Sequence, residues 1–267
     1  MNSDSERINI PADGTSATAL KALRALEIVA SSGAPLSVQQ VAQQLRSDKS
    51  TAYRMLMTLF RAGYVAREDD SKRFSLSYKV VSLSRNLLAE NEVSRLIHQE
   101  LRALAAVTQE TLHYAVLDGR ETVLVQRVKG RQLVSVDFQI GDRSPLHCTA
   151  IGKAILAFQN VLLVEEVIAA GLARRTARTI TDPDELRQEL RKVRSLGYAV
   201  DDHEFSDSMC CIAVPLFEGG GQVGGGFSIS TPDYRMGPER IEELREFLLK
   251  ASRKLSRQLG GMPWQQT

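Results

Sequence analysis

The stretch from Leu36 to Val65, LSVQQVAQQLRSDKSTAYRMLMTLFRAGYV, constrains this chain more than any other. Val38, Val41, Ala42 and Leu45 recur at the i, i+3, i+4, i+7 spacing of a buried helical face. Ser47-Asp48-Lys49 interrupts the pattern, and Ala52, Met55, Leu56 and Leu59 restart it. At about 100° of rotation per residue, the second stripe leaves Ser50, Arg54, Met57 and Arg61 on the opposite, solvent side. Two short helices around a tight turn, the second offering hydroxyls and guanidinium groups outward, outline a helix-turn-helix. Hydroxyls near a helix start bond phosphate or base edges, and arginine presents a fork to guanine. The same pattern also describes an ordinary solvated helix, so its neighbours decide. Gly63 stands where a C-terminal glycine ends a helix. Tyr64–Arg67 and Arg73–Leu76 are strand-like runs around the polar turn Glu68-Asp69-Asp70-Ser71-Lys72. A hairpin directly after the second helix is a wing, with Lys72 and Arg73 placed to touch backbone phosphate.

Charge supports this division. The net charge of the 267 residues is only +2, but Ser16 to Arg85 carries four Lys and seven Arg against two Glu and three Asp, 11 − 5 = +6, leaving −4 elsewhere. A basic front segment on a mildly acidic body suits a nucleic-acid module joined to another domain. Three cysteines, two of them adjacent, make no disulfide framework and point to a reducing, cytoplasmic setting. No secretory leader pattern and no bilayer-length apolar run occurs, so no membrane partner is expected.

Residues 1–15 are polar and aperiodic, a disordered tail. Ala19, Leu20, Leu23, Leu26, Ile28 and Val29 predict a first helix, with Ser37 capping the second and Ser47 or Asp48 the third. From Ser77 to about Gln109 the pattern is helical, broken near Ala89-Glu90-Asn91-Glu92. The leucine stripe Val80, Leu83, Leu87 and Leu88 asks for a partner, naturally a second copy, while the later run Val93, Leu96, Ile97, Leu101 and Leu104 suits packing on its own second domain almost as well. Strands follow at Thr111–Leu117, Glu121–Val128 and Leu133–Phe138, an antiparallel meander. Helices are expected at Ala154–Phe158, Val161–Ala170 and after Pro183, strands at Tyr198–Val200, Cys211–Phe217 and Gly226–Ser230, and a last helix over Pro238–Leu259. The fold class is α+β, a sensor-like antiparallel sheet behind a winged helix-turn-helix.

Chemistry-bearing groups are few. Gly219-x-Gly221-x-x-Gly224 is followed by a strand pattern where a dinucleotide loop needs a helix, so it reads as a hairpin turn. Gly224, Gly225 and Gly226 leave room beside a sheet for a ligand. His147, Cys148, His203, Cys210 and Cys211 lack any paired metal-ligand spacing, so neither metal nor cofactor is expected. Cys211 inside an apolar strand reads as a small buried hydrophobe, with a hydrolase nucleophile and a redox pair with Cys210 as alternatives. Asp201 shortly before Cys211, with Ser228 and Ser230 on a following strand, would line a small polar pocket if those strands are neighbours. Such a pocket suits a short organic or sugar acid, with donors added by Thr149 and the amides before Gly152 and Lys153.

Several of these stretches together resemble the IclR-type bacterial transcriptional regulators, over about Ala19 to Leu259. They are Lys49-Ser-Thr-Ala-Tyr-Arg54, Arg61-Ala-Gly-Tyr-Val65, Pro145 to Ala154, Gly197-Tyr-Ala-Val-Asp-Asp202, Cys211-Ile-Ala-Val-Pro215 and Ser228-Ile-Ser230. Arg178-Thr-Ile-Thr181 and Arg253-Lys-Leu-Ser256 are similar to the sugar-acid (ketodeoxygluconate) branch. The resemblance implies a non-enzymatic regulator, more often a repressor, acting as a homodimer or homotetramer on palindromic double-stranded DNA. Its domains would be a DNA-binding domain over 16–77, a linker helix over 78–92 and a GAF/PAS-like effector domain over 93–262. The recognition helix would carry Lys49, Ser50, Thr51, Tyr53, Arg54 and Arg61, with Lys72 and Arg73 on the wing. The effector pocket would involve Leu146, Ala150, Ile151, Asp201, Met209, Cys211, Ser228 and Ser230.

Overall fold

The computed structural model describes residues 16–88, 92–134 and 138–262, with backbone alone at 86–88. The expected tail over 1–15 and the break at Ala89-Glu90-Asn91 lie outside the described residues. Two compact units are present, Met1–Ala89 and Glu90–Thr267.

The first unit packs α1 (Ala17–Ala30), α2 (Val38–Leu45) and α3 (Lys49–Arg61) with a two-stranded wing, β1 (Val65–Arg67) and β2 (Phe74–Leu76). Each helix start is fixed by a side-chain cap. Ser16 caps α1, Ser37 and Gln40 form a reciprocal capping box on α2, and Asp48 caps α3. Arg46 turns the chain between α2 and α3 in the left-handed region (φ +51), as does Gly63 (φ +79) after α3. Val41, Leu45, Met55, Leu56 and Leu59 meet Ile28, Val29, Val65 and Phe74 in one core. Leu36 exchanges two backbone hydrogen bonds of 2.8 Å with Phe74, anchoring the wing to the segment before α2. Leu23, one of the apolar residues that predict α1, lies on its exposed side. The unit ends in α4 (Lys79–Leu88), where Tyr78, Val81 and Leu83 stand exposed.

The second unit is built on a six-stranded antiparallel sheet in the order β5-β4-β3-β8-β7-β6. In chain order its elements are α5 (Glu92–Thr108), β3 (Thr111–Asp118), β4 (Glu121–Val128), β5 (Arg143–Pro145), α6 (Ala150–Leu156) and α7 (Val161–Ala169). They continue with α8 (Pro183–Leu196), β6 (Ala199–Asp202), β7 (Met209–Phe217), β8 (Val223–Pro232), a 3-10 turn (Asp233–Arg235) and α9 (Pro238–Gln258). The strand expected over Leu133–Phe138 falls partly outside the described residues. Leu133, Val134 and Phe138 are loop, 135–137 lie outside the described residues, and the strand beside β4 is β5.

Strand β7, between β8 and the edge strand β6, is buried along its whole length, because helices cover both faces of the sheet. On one face, Ile97 and Leu101 of α5 and Leu244, Leu248 and Leu255 of α9 pack on Cys210, Ile212, Val214, Phe227 and Ile229. On the other, Ile151, Ala154 and Ile155 of α6 and Leu186, Leu190 and Val193 of α8 pack on Ala199, Cys211 and Ala213. Strand alternation thus splits each neighbouring pair between two cores. The α+β architecture, a helix-turn-helix unit and a GAF/PAS-like sheet unit, is the one the sequence predicted. Two of the three β8 glycines are a correction, Gly224 meeting only the Glu218 side chain at 3.4 Å: a Cβ at Gly225 would meet the Tyr114 hydroxyl at 2.8 Å, and one at Gly226 the Val214 carbonyl at 2.7 Å. Protein atoms fill that space, so Gly225 and Gly226 do not make room for a ligand.

Candidate functional site

In the first unit the outward face of α3 forms as expected, with one exception. Lys49, Ser50, Tyr53, Arg54 and Arg61 are exposed, whereas Met57 is half-buried against the core. Lys49, Arg54 and Arg61 have no ion-pair partner among the described residues, which leaves their charges available. The hydroxyls are less free. Asp48 accepts from Ser50 Oγ at 2.6 Å, Thr51 Oγ1 at 2.8 Å and the Thr51 amide at 2.8 Å. These three donors hold the Asp48 carboxyl well below the usual carboxylate range. Ser50 and Thr51 therefore have their hydroxyl protons engaged in capping and keep lone pairs as acceptors. On the wing, Lys72 is exposed in the left-handed region (φ +55), while the Arg73 guanidinium donates to the Pro35 carbonyl at 3.1 Å.

In the second unit, register assembles the pocket. Asp201 pairs with Cys211 and Cys211 with Ser230, while Ala213 pairs with Ser228 and Ser228 with His113. These rows share the face covered by α6, and a cavity of about 40 Å³ opens over them, room for roughly three waters. Ala150, Ile151, Asp201, Met209, Cys211, Ser228 and Ser230 all line it. Leu146, the remaining expected pocket residue, is fully buried in the core beside α6 and is not part of the lining. Sequence reasoning had not assigned His113, Thr122, Phe138 or Ser144 to the pocket. His113 was reachable from its strand period, because it alternates in step with Ala115. The others depend on the loop that carries Phe138 and on β5.

Asp201 dominates the chemistry. It is fully buried, and its Oδ1 accepts from the amides of Glu204 (2.7 Å) and Phe205 (3.2 Å). Its Oδ2 is buried without a hydrogen-bond partner. Burial pushes the carboxyl up from 3.8 to about 7, against the two amides that favour the charged form. Cys211 donates to Ser230 Oγ at 3.2 Å, and Ser230 Oγ lies 3.4 Å from His113 Nδ1. Burial also pushes the Cys211 thiol far up, so it stays protonated. Thr149 does not offer its hydroxyl to a ligand: it donates to the Pro145 carbonyl at 2.8 Å and accepts from the Gly152 amide at 3.1 Å.

Beside the cavity, Lys153 of α6 is 1% exposed and pairs with Glu204 and with Glu189 (3.2 Å). Glu204 follows β6 and lends its amide to Asp201, so this buried pair ties α6 to the loop that shapes the cavity. Among the candidate metal ligands, His147 and Cys148 stay buried near α6, while Asp202, His203 and Cys210 converge on the opposite side of the sheet from Cys211. The sequence spacing gives no sign of this convergence, because Asp202 and Cys210 meet only through the pairing of β6 with β7.

Residues 18–69 match the IclR helix-turn-helix domain, and residues 85–257 match the bacterial transcriptional regulator IclR C-terminal domain. The HTH-type transcriptional regulator KdgR of Escherichia coli strain K12 is 35% identical over 226 residues, 84% of this chain and 86% of that protein. The transcriptional repressor IclR of the same strain is 28% identical over 255 residues, 94% of this chain and 93% of its own. The crystal structure of Thermotoga maritima IclR superposes with a TM-score of 0.73 at 32% identity, covering 91% of this chain and 98% of that one. Among the described residues no helix is long and apolar enough to cross a membrane. The chain belongs to the IclR family of DNA-binding bacterial transcriptional regulators.

Proposed function

We propose that this regulator is a repressor that reads a palindromic operator through α3 and the wing, and whose operator affinity is modulated by a small acid held in the sheet-face cavity. The DNA-binding domain spans 16–77, the linker helix 78–92 and the effector domain 93–262. Exposed Tyr78, Val81 and Leu83 around α4 favour a homodimer or homotetramer. Acting on DNA places the protein in the cytoplasm. The observation that carries the effector reading is Asp201 Oδ2, buried and unpartnered on a cavity wall. A carboxyl held near pH 7 donates its proton to an incoming carboxylate, and the hydroxyls of Thr122, Ser144, Ser228 and Ser230 receive the rest of a small oxygenated molecule. The room for about three waters suits a short organic acid. A sugar acid needs the walls to part, and a ligand shifts a conformational balance by its differential affinity for the two states.

Two alternatives fit less well. Cys211 is a buried neutral thiol, the opposite of what nucleophilic catalysis asks. Cys210 and Cys211 face opposite cores of one strand, which puts a disulfide between them out of reach without breaking β7. Arg54→Ala is expected to cost about 1–3 kcal/mol of specific DNA binding and to relax the preference at one base position. Fluorescence anisotropy on DNA from upstream of its own gene measures this. Unchanged affinity and preference remove Arg54 from base reading.

A further inference from the structure

The loop between β6 and β7 carries a second chemical centre, independent of the effector reading. Asp202 and Cys210 are register partners at the two ends of this loop, and His203 is its first residue. His203 sits in the left-handed region (φ +63), with its carbonyl held by Thr176 Oγ1 at 2.6 Å. Its Nδ1 lies 3.5 Å from Cys210 Sγ and 2.7 Å from Asp202 Oδ1, and Cys210 Sγ lies 3.7 Å from Asp202 Oδ1. A tetrahedral zinc with ordinary bond lengths needs sulfur–nitrogen and sulfur–oxygen separations of about 3.6 Å, and nitrogen–oxygen of about 3.4 Å. Two of the three separations are already met, and the third opens by about 0.7 Å when the histidine–carboxylate hydrogen bond is replaced by metal bonds. Cys210 Sγ lies 3.8 Å from His203 Nε2 as well, so the sulfur faces the ring and the imidazole turns to aim Nδ1 at an ion; Asp233 Oδ2, 3.8 Å from Nε2, is within ion-pair range of the second nitrogen. A carboxylate behind a ligating imidazole fixes its tautomer and raises its basicity. The other oxygen of Asp202 pairs with Arg178, which orients the carboxylate.

We propose that Asp202, His203 and Cys210 form a binding site for one divalent transition-metal ion of the zinc class, with Asp233 supporting His203 and a fourth position open to water. Binding displaces the Cys210 proton to solvent, since the thiolate is the ligand. The ion staples the two ends of a loop whose next residues, Glu204 and Phe205, donate their amides to Asp201. Cation occupancy on one face of the sheet therefore stiffens the wall of the cavity on the other.

The test uses the full chain stripped with a chelator and titrated with zinc alone against a chromophoric competitor. One zinc per chain is expected. Cys210→Ser and His203→Asn should each weaken binding at least about 100-fold, beyond the 10- to 100-fold expected for Asp233→Asn as a supporting partner. Asparagine suits the left-handed position, so His203→Asn carries the test if Cys210→Ser misfolds. Cobalt substitution should give a thiolate-to-metal charge-transfer band that survives Cys148→Ala and disappears in Cys210→Ser. Substoichiometric zinc, equal affinity in wild type and both ligand variants, or a cobalt complex without that band overturns the site.

Discussion

Asp201→Asn is expected to make the folded protein more stable at pH 8 by about 2–4 kcal/mol while leaving it nearly unchanged at pH 4. Holding a carboxyl near pH 7 in the folded state instead of at its ordinary 3.8 corresponds to an upper bound of about 4 kcal/mol. The sign follows from where the proton sits. Below about pH 4 the carboxyl is neutral in both folded and unfolded chains, and no penalty exists. As pH rises towards 7 the unfolded chain loses its proton more readily than the folded one, so wild-type stability falls, and above 7 the loss is complete. Asparagine keeps an oxygen for the Glu204 and Phe205 amides and never charges. Thermal or urea unfolding of both proteins between pH 4 and 8 measures the difference, and parallel curves would contradict it. The same substitution removes the proton proposed to meet an acid effector, so a stabilised protein that no longer responds is the combined signature. In wild type, effector affinity should weaken about tenfold per pH unit above 7.

Lys153→Met should destabilise the protein by about 3–5 kcal/mol at neutral pH, the range for removing one partner of a buried ion pair. The methionine fills the space, so the loss is electrostatic. It leaves Glu204 buried among the acidic groups Glu189, Asp202 and Asp201, and one Glu204 oxygen already lacks a hydrogen-bond partner. Burial already raises the Glu204 carboxyl, with Lys153 pulling it down. Without the lysine it rises further, so the variant should regain stability as pH falls and Glu204 takes up a proton. Lys153→Met with Glu204→Gln should recover most of the loss at pH 7. A single variant that is equally destabilised at all pH values would assign the effect to packing instead.

Local chemistry made much of this molecule readable. Ser37 and Asp48 declared their helix starts, Gly63 the end of α3, and the alternation of Cys211 with Ala213 and of Ser228 with Ser230 put them on one face. The pocket hypothesis needed only that β6, β7 and β8 be neighbours, and antiparallel pairing made them so. What stayed hidden depends on partners distant in sequence. Lys153 meets Glu204 across 51 positions, and Arg235 forms a bidentate pair with Glu110 across 125. No periodicity announces either. His203 and Cys210 escaped because their spacing matches no metal motif, although a hairpin loop closes it. Met57 misled, since a helical stripe gives a direction but not how far the neighbouring core reaches.

The account is tested most directly by fluorescence anisotropy of the full chain on a fragment from upstream of its own gene, with scrambled DNA as control. The titration is repeated across a salt series and with a panel of short organic and sugar acids, in wild type and in Asp201→Asn. The expected result is sequence-specific binding that weakens steeply with salt, because phosphate contacts dominate affinity, and that one acid shifts in wild type only. An acid response that persists unchanged in Asp201→Asn would contradict the cavity as the effector site. Equal binding to specific and scrambled DNA, persisting on fragments selected from the whole genome, would contradict α3 as the reader.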